Sequence, residues 1–84
     1  MNVEKIEKEI RSLVKNVDIH IHKLRWDMRI EFSTIVNGRT FRVSSQSFYV
    51  DENKDVKIEN VDSIVYPMIT HLSRQIFLTS DLTN

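Results

Sequence analysis

The 84-residue chain has no cysteine, one glycine and one proline, and its twelve basic residues cancel its twelve acidic ones. Without cysteine there are no disulfides and no thiolate metal sites, which fits a reducing compartment and makes the cytoplasm the expected location. No apolar stretch approaches the ~20 residues that a membrane-spanning helix needs, so no membrane association is expected. The opening MNVEKIEKEIRSL is charged and helical in pattern rather than a basic stub followed by an apolar run, so no signal peptide is expected either. Also missing are a Cys/His pair, a Ser/His/Asp set, a glycine-rich phosphate loop and a carboxylate pair in a plausible cleft. The expectation is therefore a non-enzymatic protein without a cofactor. No internal repeat, low-complexity segment or linker interrupts the chain.

What is present, 40% hydrophobic and 29% charged residues, fits one globular domain over residues 1–84. A chain this short buries only roughly 60–65% of its unfolded surface, so a deep pocket would compete with the core, and binding by an outer surface is the easier design. The charges are uneven: residues 1–42 carry nine basic and six acidic side chains, residues 43–84 three and six. The half-chains thus differ in sign, but a mixed solvated surface accounts for that difference without a charged partner.

Val3, Ile6, Ile10, Leu13, Val14 and Val17 recur at three- and four-residue steps, predicting a first helix from about Asn2 to Asn16 with Asn2 as its cap. Glu4 with Lys8 and Glu7 with Arg11 sit four apart in the favourable order on its exposed face. From Leu24 the pattern becomes strict alternation, with Leu24, Trp26, Met28, Ile30 and Phe32 on one face and Arg25, Asp27, Arg29, Glu31 and Ser33 on the other. That half-buried strand ends at Asn37-Gly38, the preferred pair for a two-residue type I′ hairpin because both positions need positive φ. The turn predicts a register with Phe32 opposite Val43, Ile30 opposite Ser45, Met28 opposite Ser47 and Trp26 opposite Tyr49. In that register Ser45 and Ser47 are packing spacers, not nucleophiles. Residues 51–60 read as an acidic loop and a short strand around Val56 to Ile58, in a second hairpin with Phe48 to Val50. As a calcium loop, Asp51, Asn53 and Asp55 fit but Val56 and Asp62 do not. Val65, Met68, Ile69, Leu72 and Ile76 form the stripe of a second helix. Because proline costs ~3 kcal/mol deep inside a helix, it is expected to start near Tyr66 or to be kinked at Pro67. The TSDLTN tail is polar and expected to fray.

His20 and His22 have the spacing of many metal sites. Apolar parity is odd at Val17, Ile19 and Ile21 but even from Leu24 to Phe32, so something interrupts the chain at His22 or Lys23. A bulge is expected there, since no Gly, Pro, Asn or Asp is at hand for a turn. With that flip His20 and His22 face solvent. His71 is the only other histidine, off the stripe of the second helix, so no metal site is expected.

The fold expected is a two-layer α+β domain with an N-terminal helix, an antiparallel sheet of three to four strands and a C-terminal helix. Trp26, Ile30, Phe32, Phe41 and Val43 should form one buried face. On the opposite face the register places Phe48 and Ile35 among Arg25, Asp27, Arg29 and Arg42. Aromatic residues ringed by arginine have the composition of binding hot spots, so Arg25, Arg29, Arg42, Phe48 and Ile35 are the candidate partner-binding residues. A face-to-face homodimer would use the same residues.

The order of elements is similar to that of double-stranded-RNA-binding domains. Those domains grip phosphates with a lysine cluster at the start of the last helix, where this chain has Asp62-Ser63-Ile64-Val65-Tyr66-Pro67. The order also resembles several small phage-encoded proteins that block host enzymes, a likeness carried by no residue motif. The expected function is a protein-binding module: an inhibitor, adaptor or accessory subunit, of the phage host-antagonist type among others. The alternative is nucleic-acid binding through Lys23, Arg25, Arg29, Arg39 and Arg42, opposed by Asp27, Glu31 and the neutral overall charge.

Overall fold

The computed structural model describes residues 1–83, with side chains as far as Thr79. In chain order the elements are α1 (Val3–Leu13), β1 (Asp18–Lys23), β2 (Asp27–Val36), β3 (Arg39–Ser44), β4 (Phe48–Tyr49) and α2 (Asp62–Thr83). The strands form one antiparallel sheet in the order β1-β2-β3, with β4 pairing β2 beyond the end of β3. The expected α+β architecture is thus present.

Helix α1 starts where its cap dictates: the Asn2 side-chain oxygen accepts the Glu4 amide at 2.9 Å. It ends at Leu13, earlier than its periodicity suggests, because Val14 turns extended and Asn16 takes a φ of 67°. Val3, Ile6 and Ile10 are buried on its inner stripe, and Val14 just beyond it is buried too.

Asn37 and Gly38 adopt φ of 53° and 79° between the paired residues Val36 and Arg39, the type I′ hairpin expected. A Cβ on Gly38 would meet nothing within 4 Å, so the left-handed backbone alone demands glycine there.

Two interruptions differ from expectation. The parity change after Ile21 is a turn and not a bulge: the Leu24 amide donates to the Asp27 carbonyl at 2.8 Å, closing a two-residue loop at Arg25-Trp26. Neither loop residue needs positive φ, so the glycine and asparagine that mark most tight hairpins are dispensable. Strand β1 therefore folds back on β2, with Ile19 opposite Phe32 and Ile21 opposite Ile30. Trp26, expected in the core, lies in the turn and is 46% exposed.

The second interruption lies between β3 and β4. Glu31 pairs with Ser44 and Phe32 with Val43, as the hairpin requires, but further along Met28 pairs with Phe48 and Asp27 with Tyr49. Three residues, Ser45 to Ser47, therefore stand against two on β2, a β-bulge. Ser45 holds it in place: its amide donates to the Ile30 carbonyl at 2.8 Å and its hydroxyl oxygen accepts the Ile30 amide at 2.9 Å.

The segment before α2 is stitched to the N-terminus. The Asp51 carboxylate accepts the Asn53 and Asp55 amides, Val50 bridges Val56, and the Val3 amide donates to Lys54. The strand expected around Val56 to Ile58 is reduced to that bridge. Helix α2 begins at Asp62, whose amide is accepted by the Asn60 side chain, and it runs continuously through Pro67. The missing proline N–H strands the carbonyl of Ser63, an exposed residue, so water can satisfy it. Helix α2 reaches Thr83 and so takes in most of the segment expected to fray; Asn84 lies outside the described residues.

Inward residues of the sheet, including Met28, Ile30, Phe32, Phe41 and Val43, form one core cluster with Val3, Ile6 and Ile10 of α1 and Val65, Met68 and Leu72 of α2. Among the described residues no polar or charged side chain is buried.

Candidate protein-binding face

With both helices on the inner side of the sheet, its outer side is left without a covering element among the described residues. In register it reads Asp18, Ser33 and Arg42 across one row, then His20, Glu31 and Ser44, then His22 and Arg29, then Asp27 and Tyr49, with Ile35 and Thr40 at the Asn37-Gly38 end. Every outward residue of β1, β3 and β4 is exposed, while Asp27, Arg29, Glu31 and Ser33 on the central strand are half-buried between them.

The five candidate residues separate here. Arg29, Arg42 and Ile35 occupy the outer face, and Ile35 is 67% exposed. Arg25 sits at its margin in the β1–β2 turn, its guanidinium 5.1 Å from the centre of the Trp26 ring. Phe48 is a correction: the bulge shifts it from opposite Asp27 to opposite Met28, so it turns inward and packs half-buried against the core. The same shift exchanges it for Tyr49, which lies opposite Asp27 and is 69% exposed. Val50, which the unbulged register leaves opposite Arg25, is buried. Tyr49 is the residue the sequence reading missed. Its signal was a parity change, with apolar positions odd at Phe41 and Val43 and even at Phe48 and Val50.

The face is polar but sparsely bonded. His20 and His22 point outward, as expected, and His22 Nε2 lies 4.0 Å from the nearer Glu31 oxygen, too far for a direct hydrogen bond. Arg29 has its Nε buried with no acceptor among the described residues. His71 is exposed on α2, and among the described residues no three His, Asp or Glu side chains gather closely enough to hold a metal ion. No described helix is long and apolar enough to cross a membrane. The arrangement places hydrogen-bond donors, an aromatic ring and an aliphatic side chain on paired strands. No protein-family model matches the chain, and no curated protein or solved structure matches it either.

Proposed function

We propose that the chain is a non-enzymatic protein-binding module, an inhibitor, adaptor or accessory subunit, that holds another protein against the outer face of its sheet. One observation carries this reading: a sheet face left uncovered among the described residues presents Tyr49 near Arg29 at one end and Ile35 near Arg42 at the other. Tyrosine and arginine are the residues on which binding energy concentrates, and strands hold them more rigidly than loops would. Nucleic acid suits the face less well, because Asp18, Asp27 and Glu31 stand among its two arginines and would repel phosphate.

The test is affinity capture by wild type and by the double variant Tyr49→Ser with Ile35→Ser. The variant should stay folded and lose at least about tenfold in partner affinity, or ~1.4 kcal/mol. A control with Lys8→Ser on α1 should bind like wild type. Undiminished capture by the folded double variant overturns the assignment of this face. Capture that disappears with nuclease and falls steeply with salt replaces it with the nucleic-acid reading.

A further inference from the structure

Beyond its face the sheet has an edge, and the two edges differ. The Leu24–Asp27 hydrogen bond fixes the ladder phase, so by alternation Asp18, His20 and His22 bond inward to β2 while the backbone N–H and C=O of Ile19, Ile21 and Lys23 point away from the sheet. No backbone hydrogen bond meets them there among the described residues. An exposed row of this kind is a template for another strand, and proteins usually blunt it with proline, a bulge or a covering element. Among the described residues strand β1 has none of these and carries only the charges of Asp18 and Lys23 at its ends: its register with β2 is unbroken from Asp18 to Lys23.

The order of residues along β1 indicates what pairs with it. Asp-Ile-His-Ile-His-Lys is acidic at its start and basic at its end, so an antiparallel copy sets opposite ends against each other. We propose that the free edge of β1 pairs antiparallel with the same edge of a second copy of this chain, with the two-fold axis at His20, joining two four-stranded sheets into one. Asp18 then lies opposite His22 of the copy, where the carboxylate can accept an imidazole N–H. Ile19 lies opposite Ile21 of the copy, and the reverse, so the outward amides and carbonyls of both are satisfied and their half-buried side chains gain apolar neighbours.

Placing the axis one residue along, at Ile21, sets Ile19 against Lys23 and Asp18 against Leu24, losing both complementarities. The other edge is less suited to self-pairing, because β3 carries Arg39 and Arg42 and no acid, so two copies bring only like charge together. The pairing leaves the outer face and Tyr49 free for the partner proposed above. An interface of one strand edge is small, so the dimer should be reversible and concentration-dependent.

The experiment is sedimentation equilibrium from about 10 µM to about 1 mM, combined with amide hydrogen exchange at both ends of that range. Mass should rise towards two chains, and exchange at Ile19 and Ile21 should slow with concentration while His20 and His22, already bonded within the chain, change little. Ile21→Pro removes an N–H that has no backbone partner in the single chain and should leave a folded monomer. Asp18→Lys should weaken association at least tenfold without touching the backbone, and adding His22→Asp should restore it. A wild-type protein that stays monomeric throughout the range overturns the proposal. So does a dimer indifferent to both Ile21→Pro and Asp18→Lys, which would place the second copy on another surface.

Discussion

The chain changes apolar parity twice, at residues 22–26 and at residues 44–48, and the two changes are made by different devices. At the first the chain reverses direction through Arg25-Trp26, so the parity shift belongs to a new strand. At the second it continues in the same direction past a bulge at Ser45 to Ser47, and the shift belongs to an extra residue. Parity reports that the ladder has changed but not whether the strand has turned. What separates the cases is length: an unbroken strand from residue 17 to 36 would span ~65 Å, far more than a small domain needs, whereas β3 and β4 together remain short. The strand that was too long had to fold back, and the short one needed only a kink.

Met28 lies where both devices meet, opposite Lys23 across the turn and opposite Phe48 across the bulge, and it is fully buried. Met28→Ala should therefore have the largest effect, about 2–5 kcal/mol in denaturant unfolding, since it opens a cavity beneath both. A loss below about 1 kcal/mol would mean that the two ladders do not converge on this residue. Ser45→Ala tests the bulge alone. It removes the hydroxyl that accepts the Ile30 amide and leaves that donor without its partner, at an expected cost of about 1–3 kcal/mol. Faster amide exchange at Ile30 should accompany the loss, with little change at Phe32, whose pairing with Val43 lies on the regular side.

Much of the fold was legible in the sequence because local rules agreed with one another. Asn2 as cap, the Asn37-Gly38 turn and the alternation from Met28 to Phe32 each specify one geometry, and the structure adopts all three. The Arg25-Trp26 turn was illegible because it uses no residue of special backbone preference; what specifies it is the pairing of Ile19 and Ile21 with Phe32 and Ile30, a non-local fact. Helix α2 was expected to start near Tyr66 or to be kinked at Pro67 because proline removes an N–H, but it starts at Asp62 and packing of Val61, Val65, Met68 and Leu72 on one stripe outweighs that cost. The candidate site was only partly legible. Arg29, Arg42 and Ile35 follow from the hairpin register and keep their face, whereas Phe48 and Tyr49 depend on a single inserted residue and exchange places.

Trp26→Ala probes the first device from its exposed side. A tryptophan facing the core, as simple alternation would place it, costs about 3–5 kcal/mol to truncate. In the turn, half exposed beneath Arg25, it should cost about 1 kcal/mol or less, chiefly the contact between guanidinium and ring. Arg25→Ala should reproduce most of that small loss, and the double variant should cost no more than Trp26→Ala alone. Additive losses would show that the two side chains act separately.

The smallest effect ties the turn to the first helix. Because β1 ends at Lys23, its ammonium reaches back to α1 and donates to Glu7 at 3.0 Å, while Arg11 lies 3.4 Å from the other carboxylate oxygen. The Lys23 hydrogen bond holds the Glu7 carboxyl below its ordinary range; partial burial opposes it, and the charges of Lys23 and Arg11 reinforce it. A carboxyl whose affinity for protons is lower in the folded chain adds stability above its unfolded pKa, and that contribution is lost as pH falls through the folded value. Stability should therefore decline on acidification below the usual glutamate range, by well under about 1 kcal/mol from this group because the pair is exposed and screened. The direct measurement is the Glu7 carboxyl resonance followed through an acid titration. Lys23→Met should move its midpoint up towards the ordinary value and flatten the acid limb of the stability curve, and Arg11→Met should do so less. A midpoint indifferent to Lys23→Met would mean that Lys23 does not reach α1, and with it that β1 does not end where the Arg25-Trp26 turn requires.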